Sequence, residues 1–345
     1  MSNNFIGERT GKEINISNNS ENKHILELGL CGAGKSVRMA GIELERVRDG
    51  ETVIAIDTNG QHSSVPPKYT NIIDVYKDGI KLNFLSEHAD MNRMVEISYI
   101  ADMITRGQNL GTKQMSSLRQ AIDSAMRFRF EYTSDISAIA DMLKKQEDAV
   151  ANSVYSRLWD ILEGDFFRSN SKEFQDGMIN ILSFKGINPS TQRILIEIFM
   201  GALWRKLRVG DASTEKNITL SVDELQNLSM SKNSVLFELL TEARKYNLKL
   251  ILATQSISVF DRMQASILNQ CSTKLLFKPA SNDLGRLLKM MNVKDKDVWI
   301  RILKNLKRGQ AVAVGTLICN GRDITDPVIT TMSLERLTER RALHE

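Results

Sequence analysis

Short apolar runs alternate with longer amphipathic stretches along this chain. His24-Ile25-Leu26-Glu27-Leu28, Glu51 to Ile56 ending at Asp57, and Asn71 to Tyr76 have the length and β-branched content of strands. Between the first two, Val37 to Arg48 sets Met39, Ala40, Ile42, Leu44 and Val47 at mostly helical spacing, and Thr58-Asn59-Gly60-Gln61-His62 reads as a turn. From about Glu87 to Glu173 the texture changes. Met, Ala, Ile, Leu, Lys and Glu recur with helical periodicity, and no proline lies between Pro67 and Pro189. Strand character returns at Met178 to Phe184, followed by a helix from Ser190 to Leu207 that Asn188-Pro189-Ser190 would start. A polar loop, Gly210 to Asn217, precedes the strand Ile218 to Val222. A helix from about Ser234 to Tyr246 leads into the strand Leu248 to Ala253. Two late strands fall near Lys274 to Phe277 and Gln310 to Gly315.

Strands alternating with helices predict an α/β fold with a mainly parallel sheet covered on both faces. No internal repeat or low-complexity linker divides the chain. The expected organisation is one domain over 1–345, with a core at about 6–86 and 177–330 and a helical insertion at 87–176. An apolar content of 42% suffices for such a core, and the net charge of +4 permits a nucleic-acid partner without arguing for one. Cys31, Cys271 and Cys319 form no CxxC pair and the four histidines form no HExxH, which argues against a zinc site or a disulfide framework. No apolar run approaches 18 residues and the Asn/Ser-rich N-terminus has no signal core, so the expectation is a cytoplasmic protein with no membrane segment.

The chemistry starts at Gly29-Leu30-Cys31-Gly32-Ala33-Gly34-Lys35-Ser36, a GxxxxGKS phosphate loop between a strand and a helix. Its glycines let successive N–H groups, from Gly29, Gly32, Ala33 and Gly34 through to Lys35, Ser36 and Val37, turn toward a phosphate at a helix N-terminus. Lys35 would reach the β- and γ-phosphates and the Ser36 hydroxyl would be a ligand of Mg²⁺. The expected ligands are therefore ATP and Mg²⁺. A second signal is the β-rich run Ile218 to Val222 ending in Asp223-Glu224, at the sheet edge where open α/β folds bind ligands. Asp223 would hold Mg²⁺ through its water shell, and Glu224 would polarise the attacking water. A third is Leu250-Ile251-Leu252-Ala253-Thr254-Gln255, whose terminal Gln255 could touch both the γ-phosphate and that water.

These elements, in this order, resemble the HerA/FtsK/TraG superfamily of RecA-like, ring-forming ATPases. Ile6-Gly7 and the hairpin-like Thr10-Gly11-Lys12-Glu13 precede the phosphate loop as in a HerA-type core. Val53 to His62 resembles a family strand ending in Asp-Pro-x-Gly-Glu-Tyr, with Thr, Gln and His replacing Pro, Glu and Tyr. Leu82-Asn83-Phe84-Leu85 is similar to a Leu-Asn-Pro-Leu element. Asp223-Glu224, Glu242-Ala243-Arg244-Lys245, Leu252-Ala253-Thr254-Gln255-Ser256 and Leu306-Lys307-Arg308-Gly309-Gln310-Ala311 follow in family order. HerA proteins usually carry an N-terminal β-barrel, whereas this chain starts almost directly at the ATPase core. Membrane-anchored relatives carry transmembrane helices that have no counterpart here.

The resemblance implies a homo-oligomeric, hexameric ring that threads double-stranded DNA, with ATP between neighbouring subunits. It also implies a partner nuclease or other effector, in settings that include anti-phage defence; no nuclease motif is evident in this chain. Such a ring needs a cation supplied in trans. Arg244 is the first candidate and Arg308 the second, with Arg244 also readable as a solvated helix-end charge. Pore loops would be Asn227 to Asn233, with Lys232, and Ser256 to Gln264, with Arg262; both cations are equally readable as solvated loop charges. Arg119, Arg127, Arg129 and Arg205-Lys206-Arg208 are expected on solvated helix faces or at subunit contacts. Two other functions stay open: an ATP-dependent scaffold that assembles and activates an effector protein, with DNA contact incidental, and a small-molecule kinase.

Overall fold

The computed structural model describes residues 5–60, 62, 67–82, 85, 92–105, 108, 110–168, 170–209 and 217–332. Gln61, Asn83, Phe84 and most of the polar loop before Ile218 lie outside the described residues. Strands β1 (Phe5–Arg9) and β2 (Lys12–Ile16) pair antiparallel, with Arg9 opposite Lys12, so the expected hairpin turns on Thr10 and Gly11 alone. Both turn residues have positive φ, 48° and 76°, which matches the twist of a two-residue hairpin. Next come β3 (Ile25–Leu28), α1 (Lys35–Arg48), β4 (Thr52–Asp57) and β5 (Thr70–Asp74). Five helices follow: α2 (Arg93–Ile104), α3 (Thr112–Phe128), α4 (Asp135–Lys145), α5 (Ala149–Arg157) and α6 (Trp159–Leu162). The middle of the chain supplies β6 (Ile179–Ser183), α7 (Pro189–Val209), β7 (Ile218–Val222), α8 (Val235–Glu242) and β8 (Leu248–Thr254). The last part holds α9 (Arg262–Leu268), β9 (Thr273–Leu276), α10 (Leu284–Met291), α11 (Lys296–Asn305), β10 (Gln310–Val314), β11 (Leu317–Cys319), β12 (Arg322–Ile324) and β13 (Val328–Thr331). Among the described residues, no helix is long and apolar enough to cross a membrane.

The thirteen strands among the described residues join one sheet in the order β12-β11-β2-β1-β13-β10-β9-β3-β8-β7-β4-β6-β5. From β9 to β5 every pairing is parallel. From β10 to β12 every pairing is antiparallel. The central parallel strands are mostly apolar, as a sheet buried on both faces requires: all four residues of β3 are buried, Glu27 among them, as are six of the seven in β8. Periodicity gave no sign of β11 to β13. Two of these have only three residues, too few to establish a period.

The two faces are covered unequally. On one, Leu26, Leu28, Ile54, Ile56, Leu220, Leu250 and Leu252 form a single core with side chains from every helix from α2 to α11. The helices at 93–162 therefore share the sheet's interior and lie on the crossover between adjacent strands β5 and β6. On the opposite face sits α1, with Met39 and Ile42 against Ile25, Ile251 and Leu275, and Ala40, Leu44 and Val47 against Val53, Ala55 and Ile181. The antiparallel strands also pack against the start of α1 and bury a charged residue there. Arg38, 1% exposed, donates to Ile6 O at 2.5 Å, Thr330 Oγ1 at 3.0 Å and Gly309 O at 3.0 Å. Arg205 departs from the expected solvated face: it is buried and bonds Glu96 at 2.8 Å, tying α7 to α2.

Candidate functional site

Gly29 to Gly34 connect β3 to α1. Gly34, at φ 108°, caps the helix without a side-chain oxygen. A Cβ there would lie 2.9 Å from Gly309 N, whose N–H donates to Ala33 O at 2.9 Å. Glycine is needed both for the left-handed backbone and for this approach. Arg38 N donates to Gly34 O at 3.1 Å as the first helical bond, so the amides of Lys35, Ser36 and Val37 are the ones a helix start leaves without an intrahelical acceptor. Gly32, at φ 76°, sits in the turn between, where nothing lies within 4 Å of a Cβ position. The Lys35 ammonium donates to Gly29 O at 2.7 Å and Leu30 O at 3.2 Å, so the side chain folds back over the loop.

Strand order assembles the rest. β8 lies between β3 and β7, so its end reaches between the phosphate loop and the paired acids. Ser36 Oγ donates to Asp223 Oδ2 at 3.1 Å, and Gln255 Nε2 donates to the two Glu224 oxygens at 3.1 and 2.9 Å. Gly29 N also donates to Thr254 O at 3.3 Å, tying the loop to β8. Lys35, Ser36, Asp223, Glu224 and Gln255 thus meet at the C-terminal edge of three neighbouring strands. Glu224 is left-handed, φ 55° and ψ 49°, a conformation that costs a non-glycine residue about 1–3 kcal/mol and gathers at functional sites.

Several contributors escaped the sequence reading. Gln226 donates to Glu224 Oε2, and Thr254 Oγ1 donates to Gln226 Oε1 at 2.8 Å. Glu43 of α1 is fully buried and accepts from Ser221 Oγ and from His62 Nε2, the latter at 2.5 Å. Burial opposes the imidazolium, but Glu43 outweighs it, and with Asp57 and Asp223 it lifts the His62 pKa to about 9. Asp57 accepts from the amides of Asn59, Gly60 and His62, which folds this turn beside Ser36 and Asp223. Beneath the loop, Glu27 is fully buried, and neither carboxyl oxygen has a hydrogen-bond partner among the described residues. Burial, helped by Asp223 and Glu43 and opposed by Arg38 and Lys35, raises its pKa well above the usual range. A charged residue placed on an apolar helix stripe or strand interior, as Glu43 and Glu27 are, was the available signal.

Two arginines separate. Arg244 lies on a 3₁₀ turn (Ala243–Tyr246) before β8, at the opposite end of that strand from Gln255. Its charge is felt by His24, which precedes β3. It is exposed and cannot reach the phosphate loop of its own chain. Arg308 instead adjoins Gly309, in contact with that loop. The loops after β7 and β8 come together, Gln264 Nε2 donating to Met230 O at 3.4 Å, with Lys232 and Arg262 both exposed.

No family model and no curated protein matches this sequence. Solved structures do match. VirB4 of Thermoanaerobacter pseudethanolicus superposes with a TM-score of 0.72 at 16% identity, over 96% of this chain and 97% of that one. The bacterial conjugative coupling protein TrwB, in an unbound form, gives 0.69 at 15% identity, over 97% and 89%. TrwB in complex with ADP and Mg²⁺ gives 0.66 at 16% identity, over 90% and 85%. The chain therefore has the fold of the RecA-like P-loop ATPases represented by VirB4 and TrwB, as the HerA/FtsK/TraG resemblance implied.

Proposed function

We propose that this protein is a cytoplasmic, ring-forming ATPase that couples ATP hydrolysis to translocation of double-stranded DNA in the service of a partner nuclease or other effector. One observation carries the hydrolytic part of the reading: β8 brings Gln255 onto Glu224 at 2.9 Å, next to the Ser36–Asp223 contact at 3.1 Å. A phosphate loop alone needs no such neighbour; hydrolysis does. TrwB structures hold ADP with Mg²⁺ and a non-hydrolysable ATP analogue on the same fold, which supports nucleotide binding here.

The residues present fit both ligands. The amides from Gly32 to Val37 suit a phosphate chain, and the Lys35 ammonium would exchange its two carbonyl partners for phosphate oxygens. Ser36 and Asp223 would hold Mg²⁺, which supplies charge neutralisation across the phosphate oxygens. Glu224 would accept a proton from the attacking water while the Gln255 carboxamide orients that water. Arg244, placed at the far end of its own β8, would serve a neighbour's site. Lys232 and Arg262, exposed on the two joined loops, would face DNA. We read residues 87–176 as a helical insertion, whose described helices share the core's interior.

The test is ATP turnover by wild type and Glu224→Gln, with and without duplex DNA, alongside sedimentation. DNA-stimulated turnover by a ring, lost in the variant with nucleotide binding retained, is the expected result. A slow turnover indifferent to DNA, in a ring that ATP stabilises, would replace the motor with a scaffold for an effector protein.

A further inference from the structure

We infer that Gln226 and Thr254 form a positioning pair that holds Glu224 for hydrolysis. The inference rests on the ATPase reading above and adds two residues to it. Leu225 is fully buried and pins the 3₁₀ turn Leu225–Asn227, leaving Gln226 against the end of β8. There Thr254 Oγ1 donates to Gln226 Oε1 at 2.8 Å. The carboxylate fixes which way the amide faces: it can only accept, so Nε2 must point at Glu224, and Oε1 is left toward the Thr254 hydroxyl, which donates to it. Gln226 Nε2 accordingly donates to Glu224 Oε2, and Gln255 Nε2 donates to the same carboxylate at 2.9 and 3.1 Å.

Glu224 is therefore held by two amides, and Thr254 braces one of them, Gln226. Gln255 follows Thr254 directly, on a strand whose carbonyl at Thr254 takes the Gly29 amide of the phosphate loop. The loop beyond is also held: Asp283 accepts from Ser256 Oγ and Ser258 N at 2.9 and 3.0 Å, and Arg286 donates to Ile257 O and Phe260 O, both at 2.9 Å. A left-handed Glu224 has to be held in place by its surroundings, and this clamp supplies the restraint. A carboxylate offers about four lone-pair positions, so two amides still leave room for a water. The pair would act through Glu224 without touching the nucleotide.

Steady-state ATP turnover and nucleotide binding, measured together, test this in Gln226→Ala, Thr254→Val and Thr254→Ser. The expected result is a fall in kcat of about tenfold to a hundredfold for the first two, the range that small misplacements of reacting groups produce. KM and nucleotide affinity should stay within about twofold, and Thr254→Ser should keep the hydroxyl and the rate. Adding Gln226→Ala to Glu224→Gln should cost nothing more, because the pair works only through the carboxylate. An unchanged kcat in Gln226→Ala, with Glu224→Gln inactive, overturns the positioning pair and leaves the ATPase reading intact. So does a loss of nucleotide affinity or melting temperature that accompanies the rate, with Thr254→Ser failing alongside Thr254→Val, because that is a packing defect. Normal turnover in Glu224→Gln overturns both readings.

Discussion

Both ends of the parallel strands carry polar groups, and the cluster at the N-terminal end is paired differently from the groups around the phosphate loop. At the N-terminal end, Glu51 before β4 accepts from Thr219 Oγ1 of β7 at 2.7 Å, from Arg46 of α1 at 3.4 Å and from Lys249 of β8. His24, before β3, accepts the Leu250 N–H at 3.1 Å on Nδ1. Two of these four partners are charge to charge, and Glu51 and His24 are both buried. At the C-terminal end, Lys35 rests on two neutral carbonyls and the first amides of α1 have no helical acceptor. Ser36 holds one oxygen of Asp223, and Glu224 is held by amides. A structural cluster needs partners that never leave, whereas a ligand site needs partners a ligand can outbid. The same sheet provides one of each.

Exchanging losses between the ends gives the largest contrast. Glu51→Ala would leave Arg46 and Lys249 buried with one acceptor fewer, and removing one member of a buried ion pair costs about 3–5 kcal/mol. Denaturant titration should show that loss, with turnover per folded molecule preserved. Lys35→Ala should do the reverse: unfolding within about 1 kcal/mol of wild type, since only carbonyls are released, and turnover down by roughly a hundredfold or more. A Glu51→Ala protein of normal stability and no activity would erase the distinction.

Arg244 crosses the comparison, a residue of the structural end assigned to a catalytic task. The seven residues of β8 put it about 23 Å from Gln255 in its own chain. Arg244→Ala should therefore leave folding and nucleotide binding untouched and lower turnover of the assembled protein about a hundredfold. Mixing it with Glu224→Gln should restore turnover, because some interfaces then pair an intact Glu224 with an intact Arg244. Mixtures no more active than either parent would return Arg244 to the structural end.

How far the sequence carried depends on which kind of proximity held each group together. Gly29 to Ser36 are contiguous, and Asp223, Glu224 and Gln255 each close an apolar run, so spacing alone placed them at strand ends. What spacing could not supply was strand order. Nothing in the chain says that β8 lies between β3 and β7, which is what brings Gln255 onto Glu224. The Glu43–Ser221 and Gln226–Thr254 contacts span 178 and 28 residues, and neither pair has a motif. The β1–β2 hairpin was legible because its tight turn needs positive φ, which Gly11 adopts without strain, although the β-branched Thr10 takes it at a cost. The helical texture of 93–162 was legible as well, but periodicity does not reveal that its apolar stripe joins the sheet's own core.

The smallest effect puts one residue type at both ends. His24 is pushed down to about 4, by burial first and the Arg244 charge second, whereas His62 is lifted to about 9 because Glu43, Asp57 and Asp223 outweigh its burial. The signs follow from linkage, with both histidines near 6.5 when unfolded. His62 stabilises fully below pH 6.5 and loses that contribution as pH rises through 9, about 2 kcal/mol between pH 7 and pH 9. His24 favours the native state only while neutral, so stability falls as pH drops from 6.5 through 4, by about 3 kcal/mol at most. Unfolding free energies of His62→Gln and His24→Asn across this range separate the two. The first variant should flatten the alkaline limb alone, and the second should flatten the acid limb below pH 6.5 while keeping an acceptor for the Leu250 amide. An alkaline limb unchanged in His62→Gln would mean that the charge pair beside Ser36 and Asp223 does not hold in solution.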